Sequence, residues 1–272
     1  MARQVRREAV VGFGRSADAY ERGRPGYPAE AIALLAKALD LRPGRRVADV
    51  GAGTGKLTRA LVGTGADVVA VEPVAEMRRR FAEALPGVDV RDGAAAHLPL
   101  ADDEVDALVV GQAFHWFAEH ATLAEFARVL RPGAHLGLIW NVRDRSVPWM
   151  AQLTAIINAH QGDAPRHESG AWRRAFDEQP WFGEFGHASV QHVHVLAPPA
   201  SLDRYASISF IAALPDDERA ALLDQVRAVL AEAVDTDGTV AHPYRTDVWW
   251  AAVSDSGAGR WRLGDPEPMA GS

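Results

Sequence analysis

Between residues 28 and 140 the chain alternates helical and strand patterns of apolar residues, and this alternation restricts its fold more than any other feature. Residues 28–41 place Ile32, Leu35, Ala36 and Leu39 on one helical face, and Pro43-Gly44 ends the pattern. Residues 46–50 form a short strand-like run that stops at a glycine loop. A helix over 57–65, a strand over 67–71 and a helix over 75–85 follow, the last with Met77, Phe81 and Leu85 four residues apart. Residues 88–90 and 105–110 read as the third and fourth strands. The helix expected at 119–130 turns Leu123, Phe126, Ala127 and Leu130 inward and is closed by Arg131-Pro132-Gly133, before a fifth strand at 135–140. Strands joined through helices at this spacing are βαβ units, whose right-handed crossovers build a parallel sheet.

The rhythm changes after Asn141. Helices are expected over 147–162, 168–179, 201–213 and 216–234, and strands over 188–196 and 244–253. Trp249 and Trp250 in the last strand should point to opposite faces, with at least one in the core. The predicted fold is α/β: a doubly wound, Rossmann-like, seven-stranded and mostly parallel sheet with a helical cap inserted after the fifth strand. The expected division is a lid segment at 1–28, a cofactor-binding core at 29–146, and a cap with the sixth strand at 147–245 on the acceptor side. The last strand at 246–253 and a flexible tail at 254–272 complete it.

Composition removes several functions. Hydrophobic residues make up 48% of the 272, which suits a globular chain that buries its own core. A net charge of −7 disfavours nucleic acid as a partner. No run of about 18 apolar residues is present, so no membrane span is expected, and the apolar stretch 10–14 is too short for a signal peptide. The expected location is cytoplasmic. The absence of cysteine excludes disulfides, thiolate zinc sites and a cysteine nucleophile. His192 and His194 share a strand face without an evident third ligand, so no metal is expected. The richness in Arg, Ala and Gly fits a GC-rich bacterial genome, and monomer and homodimer both remain open.

The sharpest local signal is 47–58, VADVGAGTGKLT. Gly51, Gly53 and Gly55 follow a strand and open a helix, where glycine allows a tight turn and close approach of a ligand to the backbone. In doubly wound folds the ligand lies beyond the carboxyl ends of the strands. Glu72, at the end of the next strand and roughly 20 residues on, can accept both hydroxyl protons of a ribose. Dinucleotide enzymes use G-x-G-x-x-G; here the spacing is G-x-G-x-G, and Asp49 adds a negative charge that suits a cationic head rather than a pyrophosphate. A glycine-rich turn without a ligand is the bland alternative. A nicotinamide-dependent oxidoreductase is the rival on the same fold, and a non-catalytic binding protein is a further one.

These features together resemble the class I S-adenosylmethionine-dependent methyltransferases. The chain is most similar to the broad small-molecule group (methyltransferase type 11) that includes ubiquinone-type, sterol-type and trans-aconitate-type enzymes. The resemblance covers residues 10–145. It is carried by 49–55, by Val71-Glu72-Pro73 with Met77 one turn on, by Leu98-Pro99-Leu100, by Val105-Asp106, and by 19–28, AYERGRPGYP. It implies S-adenosylmethionine as cofactor, S-adenosylhomocysteine as product and a small-molecule methyl acceptor. Asp49 and the backbone of Gly51, Ala52, Gly53 and Gly55 would hold the methionine part, and Glu72 the ribose. Met77 and Pro73 would pack near the adenine, Ala95 would meet its edge, and Gln112 would lie near the sulfonium. Tyr20 and Arg24 would close the pocket. Relatives carry a polar residue where this chain has Ala94, so either Asp92 substitutes on the adenine amino group or that contact is lost.

Methyl transfer needs an acceptor held in line, exclusion of water and, for some acceptors, a base. His115, in the run 112–117 (QAFHWF), is the candidate base, with a packing role as the alternative. Phe114, Trp116, Trp140, Asn141 and Tyr205 are the other candidate substrate contacts, and Arg143 can line the same side, with packing as the alternative for Trp140, Asn141, Arg143 and Tyr205. An indole-like ring and a carboxylate are the two acceptors weighed. The ring needs a base such as His115; the carboxylate needs arginines in the cap and no base.

Overall fold

Parallel strands covered on both faces are buried along their whole length. β1 (Arg46–Val50) and β2 (Asp67–Val71) obey this: every residue of β2 after Asp67 is buried, and so is every residue of β1 after Arg46. The structure, a computed structural model, describes residues 23–162 and 165–254. β3 (Asp89–Arg91), β4 (Val105–Gly111), β5 (Leu130–Arg143), β6 (Gly186–Leu196) and β7 (Val240–Ala252) complete one seven-stranded sheet of order β3-β2-β1-β4-β5-β7-β6. β1 to β5 pair in parallel, while β7 runs antiparallel to both β5 and β6. This is the mostly parallel, doubly wound Rossmann-like sheet expected.

Helix α1 (Ala29–Leu39) precedes β1, and α2 (Lys56–Val62), α3 (Ala75–Ala84) and α4 (His120–Val129) connect parallel strands. Alternate residues of each strand feed opposite layers. Val47, Val68, Val109 and Ile139 meet Leu35 and Leu39 of α1 and Leu61 of α2 on one face. Val50, Val71, Leu108, Val110 and Leu138 meet Leu123 and Phe126 of α4 on the other. Trp249 packs on the second of these layers and Trp250 on the first, so the pair does point to opposite faces. Both remain partly exposed.

The cap comprises α5 (Pro148–Asn158), α6 (Pro198–Ala206), the one-turn α7 (Ser209–Ala212) and α8 (Asp216–Glu232). It has a core of its own, with Met150, Leu153 and Ile157 of α5 against Leu222, Val226 and Leu230 of α8. Its chain is divided, because β6 separates α5 from α6. The expected helix at 168–179 is instead a short 3-10 helix, Ala171–Phe176. Gly170 opens it with φ 69° and Pro180 follows closely, so little chain is left for regular turns. Trp172 is drawn into the layer under α4. The expected 201–213 helix splits in two and starts earlier, since Pro198 and Pro199 are tolerated in a first turn. β5 starts at Leu130 rather than at 135, because Leu130 pairs with Val105 through an irregularity in β4. β7 likewise starts before Tyr244. Tyr20, most of the expected lid and residues 255–272 lie outside the described residues. No helix of the described residues is long and apolar enough to cross a membrane.

Candidate active site

The glycine loop departs from β1 in a conformation few other residues adopt: Gly51, Gly53 and Gly55 have φ of 72°, 58° and 86°. The backbone N–H groups of Gly51 and Ala52 donate to the Val71 carbonyl at 2.8 and 3.2 Å. Glu72 then ties two loops together. Its Oε2 accepts from Gly53 N at 2.9 Å and its Oε1 from Val74 N at 2.8 Å. An ionised carboxylate has about four acceptor positions, so lone pairs remain for a ligand. Burial pushes the Glu72 pKa up, and the two backbone donors oppose the shift.

Asp49 is 1% exposed. Thr58 Oγ1 donates to its Oδ2 at 2.6 Å, while Oδ1 has no partner among the described residues. Burial lifts its pKa to about 7, against the lowering effect of Thr58. A buried carboxylate oxygen without a donor is costly unless a cation or donor meets it.

A cavity of about 770 Å³ opens beyond the carboxyl ends of β1, β2, β4 and β5. Gly51, Gly53, Glu72, Pro73, Met77 and Ala95 line one side of it. Arg24, Gln112, His115, Trp116, Trp140 and Asn141 also line it. Asp49 and Ala52 face a recess of about 40 Å³ that shares Arg24, Gly51 and Gln112 with the main cavity. Gln112 takes φ 60°, unusual for a side-chain-bearing residue, while its N–H donates to the Ile139 carbonyl at 2.9 Å.

Four expected residues lie elsewhere. Gly55 starts α2, and a Cβ there would come within 2.7 Å of Leu85, so its place is under α3. Asp92 is exposed and pairs with Arg78 at 3.0 Å outside the lining. Phe114 is fully buried among Phe117, Phe126, Trp172 and Phe176. Tyr205 is fully buried too, and its hydroxyl bonds His242 Nδ1 at 3.1 Å. Its neighbour Arg204 lines the cavity instead, with Arg143, Arg166 and His167. The sequence carries no signal for Arg204: the face that a cap helix turns toward the cavity depends on where the helix docks.

The aromatic side is continuous. Trp140 stacks on His167 with centroids 4.3 Å apart, and its Nε1 donates to His115 Nδ1 at 3.4 Å. Burial, with smaller contributions from His167 and Arg24, lowers the His115 pKa to about 3. The ring is therefore neutral at physiological pH and holds a proton poorly. Asn141 serves as a structural node, donating to the Gly26 carbonyl at 2.9 Å and accepting from Thr246 Oγ1 at 2.6 Å.

The fold and cavity define a doubly wound α/β protein with its main cavity at the carboxyl ends of the parallel strands. A family model described as a methyltransferase domain matches residues 48–138. The chain is 42% identical over 243 residues to an uncharacterized methyltransferase of Mycobacterium tuberculosis, covering 89% of this chain and 95% of the relative. It is 32% identical over 222 residues to an uncharacterized methyltransferase-like protein of Schizosaccharomyces pombe, with 80% and 86% covered. The structure of a putative type II methyltransferase from Anaeromyxobacter dehalogenans superposes with a TM-score of 0.60 at 23% identity, over 85% of this chain and 96% of that one, which shows a shared fold. The chain belongs to the methyltransferase family.

Proposed function

We propose that this methyltransferase uses S-adenosylmethionine and acts on a small molecule that reaches the site already ionised. One observation carries the cofactor reading. Two acids at neighbouring strand ends, Asp49 with a partnerless buried oxygen and Glu72 with lone pairs to spare, face connected cavities across Gly51. That pair suits a cationic amino-acid head next to a vicinal diol and suits a pyrophosphate poorly. In this reading Asp49 and the loop backbone hold the head, Glu72 the ribose, and Pro73, Met77 and Ala95 flank the base. Gln112 lies toward the reacting carbon, and Arg24 closes that side.

The cofactor supplies a methyl group already activated on a sulfonium. The chain's own residues then have to align the acceptor and exclude water. Trp116, Trp140 and His167 offer flat walls for that purpose. The depressed His115 pKa supports a packing role rather than a base. Of the two acceptors weighed, the carboxylate, which needs no base, is favoured over an indole-like ring.

Calorimetric titration with S-adenosylmethionine beside NAD tests the cofactor: micromolar binding of the first and none of the second is expected, and the reverse preference would return the loop to the oxidoreductase reading. His115→Ala is expected to keep turnover within about tenfold, against the 10²–10⁴-fold loss that follows removal of a general base. A loss of that larger size, accompanied by a pH profile that flattens on the acid side, would restore His115 as the base.

A further inference from the structure

Trp140 and His115 meet at the wall of the cavity from two different elements. Trp140 lies near the end of β5 and is 1% exposed. Its indole is clamped by His167, whose ring stacks on it at 4.3 Å, and by Trp172 at 4.9 Å. His115 is the middle residue of the 3-10 turn Phe114–Trp116. Its aim is set by the fully buried Phe114 before it and by two bonds of the turn, Trp116 N to the Ala113 carbonyl at 2.9 Å and Phe117 N to the Phe114 carbonyl at 3.0 Å. Trp140 Nε1 reaches His115 Nδ1 at 3.4 Å. An indole nitrogen donates and never accepts, so Nδ1 is the bare nitrogen of the imidazole. A neutral ring then carries its proton on Nε2. Burial, and after it His167 and Arg24, keeps the ring neutral. Nε2–H has no partner among the described residues, and the ring lines the cavity. A donor left unpaired at a cavity wall favours a ligand that accepts from it over one that does not.

We propose that His115 is a substrate-binding donor whose Nε2–H holds an oxygen of the methyl acceptor, with Trp140 as the positioning residue that sets its tautomer. This rests on the methyltransferase reading above and narrows the acceptor to a flat molecule that carries a carboxylate or carbonyl oxygen. A ring that takes up a proton poorly can still give a hydrogen bond, so failing as a base leaves this role open to it. An ionised oxygen gains most, because a charge-assisted bond is shorter and stronger than a neutral one. A flat acceptor whose polar group is itself an N–H, such as a bare indole, would leave the His115 donor unpaired. Trp140 works from behind: it supplies the hydrogen that fixes Nδ1, and its own tilt is fixed by the stacked rings of His167 and Trp172.

Nitrogen NMR of the full chain labelled at histidine reads the tautomer directly, because protonated and bare ring nitrogens resonate far apart. The His115 signals are assigned by their loss in His115→Gln. The Nε2–H form is expected throughout pH 5.5–8, with and without S-adenosylhomocysteine, and Trp140→Phe is expected to mix the two tautomers. Calorimetry then reads the contact. The probes are indole-3-carboxylate and indole-3-carboxaldehyde, with 3-methylindole as the match that lacks an oxygen, each titrated with and without saturating S-adenosylhomocysteine. The uncharged aldehyde separates a hydrogen bond from the pull of nearby arginines on a carboxylate. Both oxygen-bearing probes should bind more tightly than 3-methylindole, the aldehyde by about three- to tenfold. His115→Phe should erase the aldehyde's margin and shift 3-methylindole by less than twofold. His115→Gln, whose amide N–H stands in for Nε2–H, should keep most of it, and the S-adenosylhomocysteine Kd should move less than twofold in both variants. A wild-type ring protonated on Nδ1, or one that titrates near pH 6, would overturn the proposal. So would equal binding of the aldehyde and 3-methylindole, or equal losses in the two His115 variants. A wild type with the Nε2–H form and the preference for oxygen that binds no S-adenosylhomocysteine would sink the cofactor reading alone.

Discussion

Glu72→Gln is expected to weaken S-adenosylmethionine binding by about a hundredfold or more, the largest single effect at this site. Both carboxylate oxygens already accept a backbone N–H, from Gly53 and from Val74. A glutamine keeps one of those acceptors and turns an NH₂ group toward the other donor. It thereby leaves a buried N–H unpaired and removes the acceptor for a ribose hydroxyl. A melting curve measured beside the titration separates the two consequences. A modest fall in melting temperature with near-complete loss of binding matches a ligand contact. Binding retained within threefold would mean that Glu72 only pins the loops.

Asp49→Asn should cost affinity on a similar scale and gain stability at alkaline pH. The folded-state pKa of Asp49 is about 7, well above the ordinary 3.8, because burial disfavours its charge. Between those values the folded chain holds a proton that the unfolded chain has lost. Stability from this group is therefore full below pH 4, declines as pH rises toward 7 and is level above it. The asparagine variant escapes that decline. At pH 8 it should be more stable by up to about 3–4 kcal/mol, and at about pH 3 almost equal to the wild type. Thr58 can still donate to the new amide oxygen, so the fold keeps that bond. For the wild type, a cation can bind well only once the proton has left. S-adenosylmethionine affinity should rise from pH 5.5 to 7.5, with release of close to one proton at pH 6, read by calorimetry in buffers of different ionisation heat. An affinity flat across that range would separate Asp49 from the cationic head.

Legibility in the sequence followed how local the physics was. β1 and β2 were readable to the residue, because a strand buried on both faces is a short, mainly apolar run behind a polar start, broken in β1 only by Asp49. The left-handed glycines and the acid at the end of β2 were readable because a tight turn and a spacing are local properties. The cap was not. Nothing local tells whether Tyr205 or Arg204 faces the cavity, since the docking of α6 on β7 through His242 decides it. The run QAFHWF carried four ring-bearing residues and no period. A 3-10 turn of three residues per revolution sends Phe114 into the core and His115 and Trp116 toward the cavity. Position along the chain points to Asp92 for the adenine edge, but its carboxylate pairs with Arg78 outside the lining.

The strand order also governs assembly during synthesis. Among the described strands β6 pairs only with β7, and β7 is made last. While the ribosome moves from Leu196 to Ala252, β6 has no neighbour on either edge, and at roughly 5–20 residues per second that interval lasts a few seconds. An unpaired strand is a template for the wrong partner. Val193 and Val195, still more than half exposed in the finished fold, would be offered on it. Strands β1 to β5 can pair as soon as β5 emerges, whereas β6 waits for β7. The antiparallel edge of the sheet, with the cap helix held to β7 through His242, is thus the last part to become native.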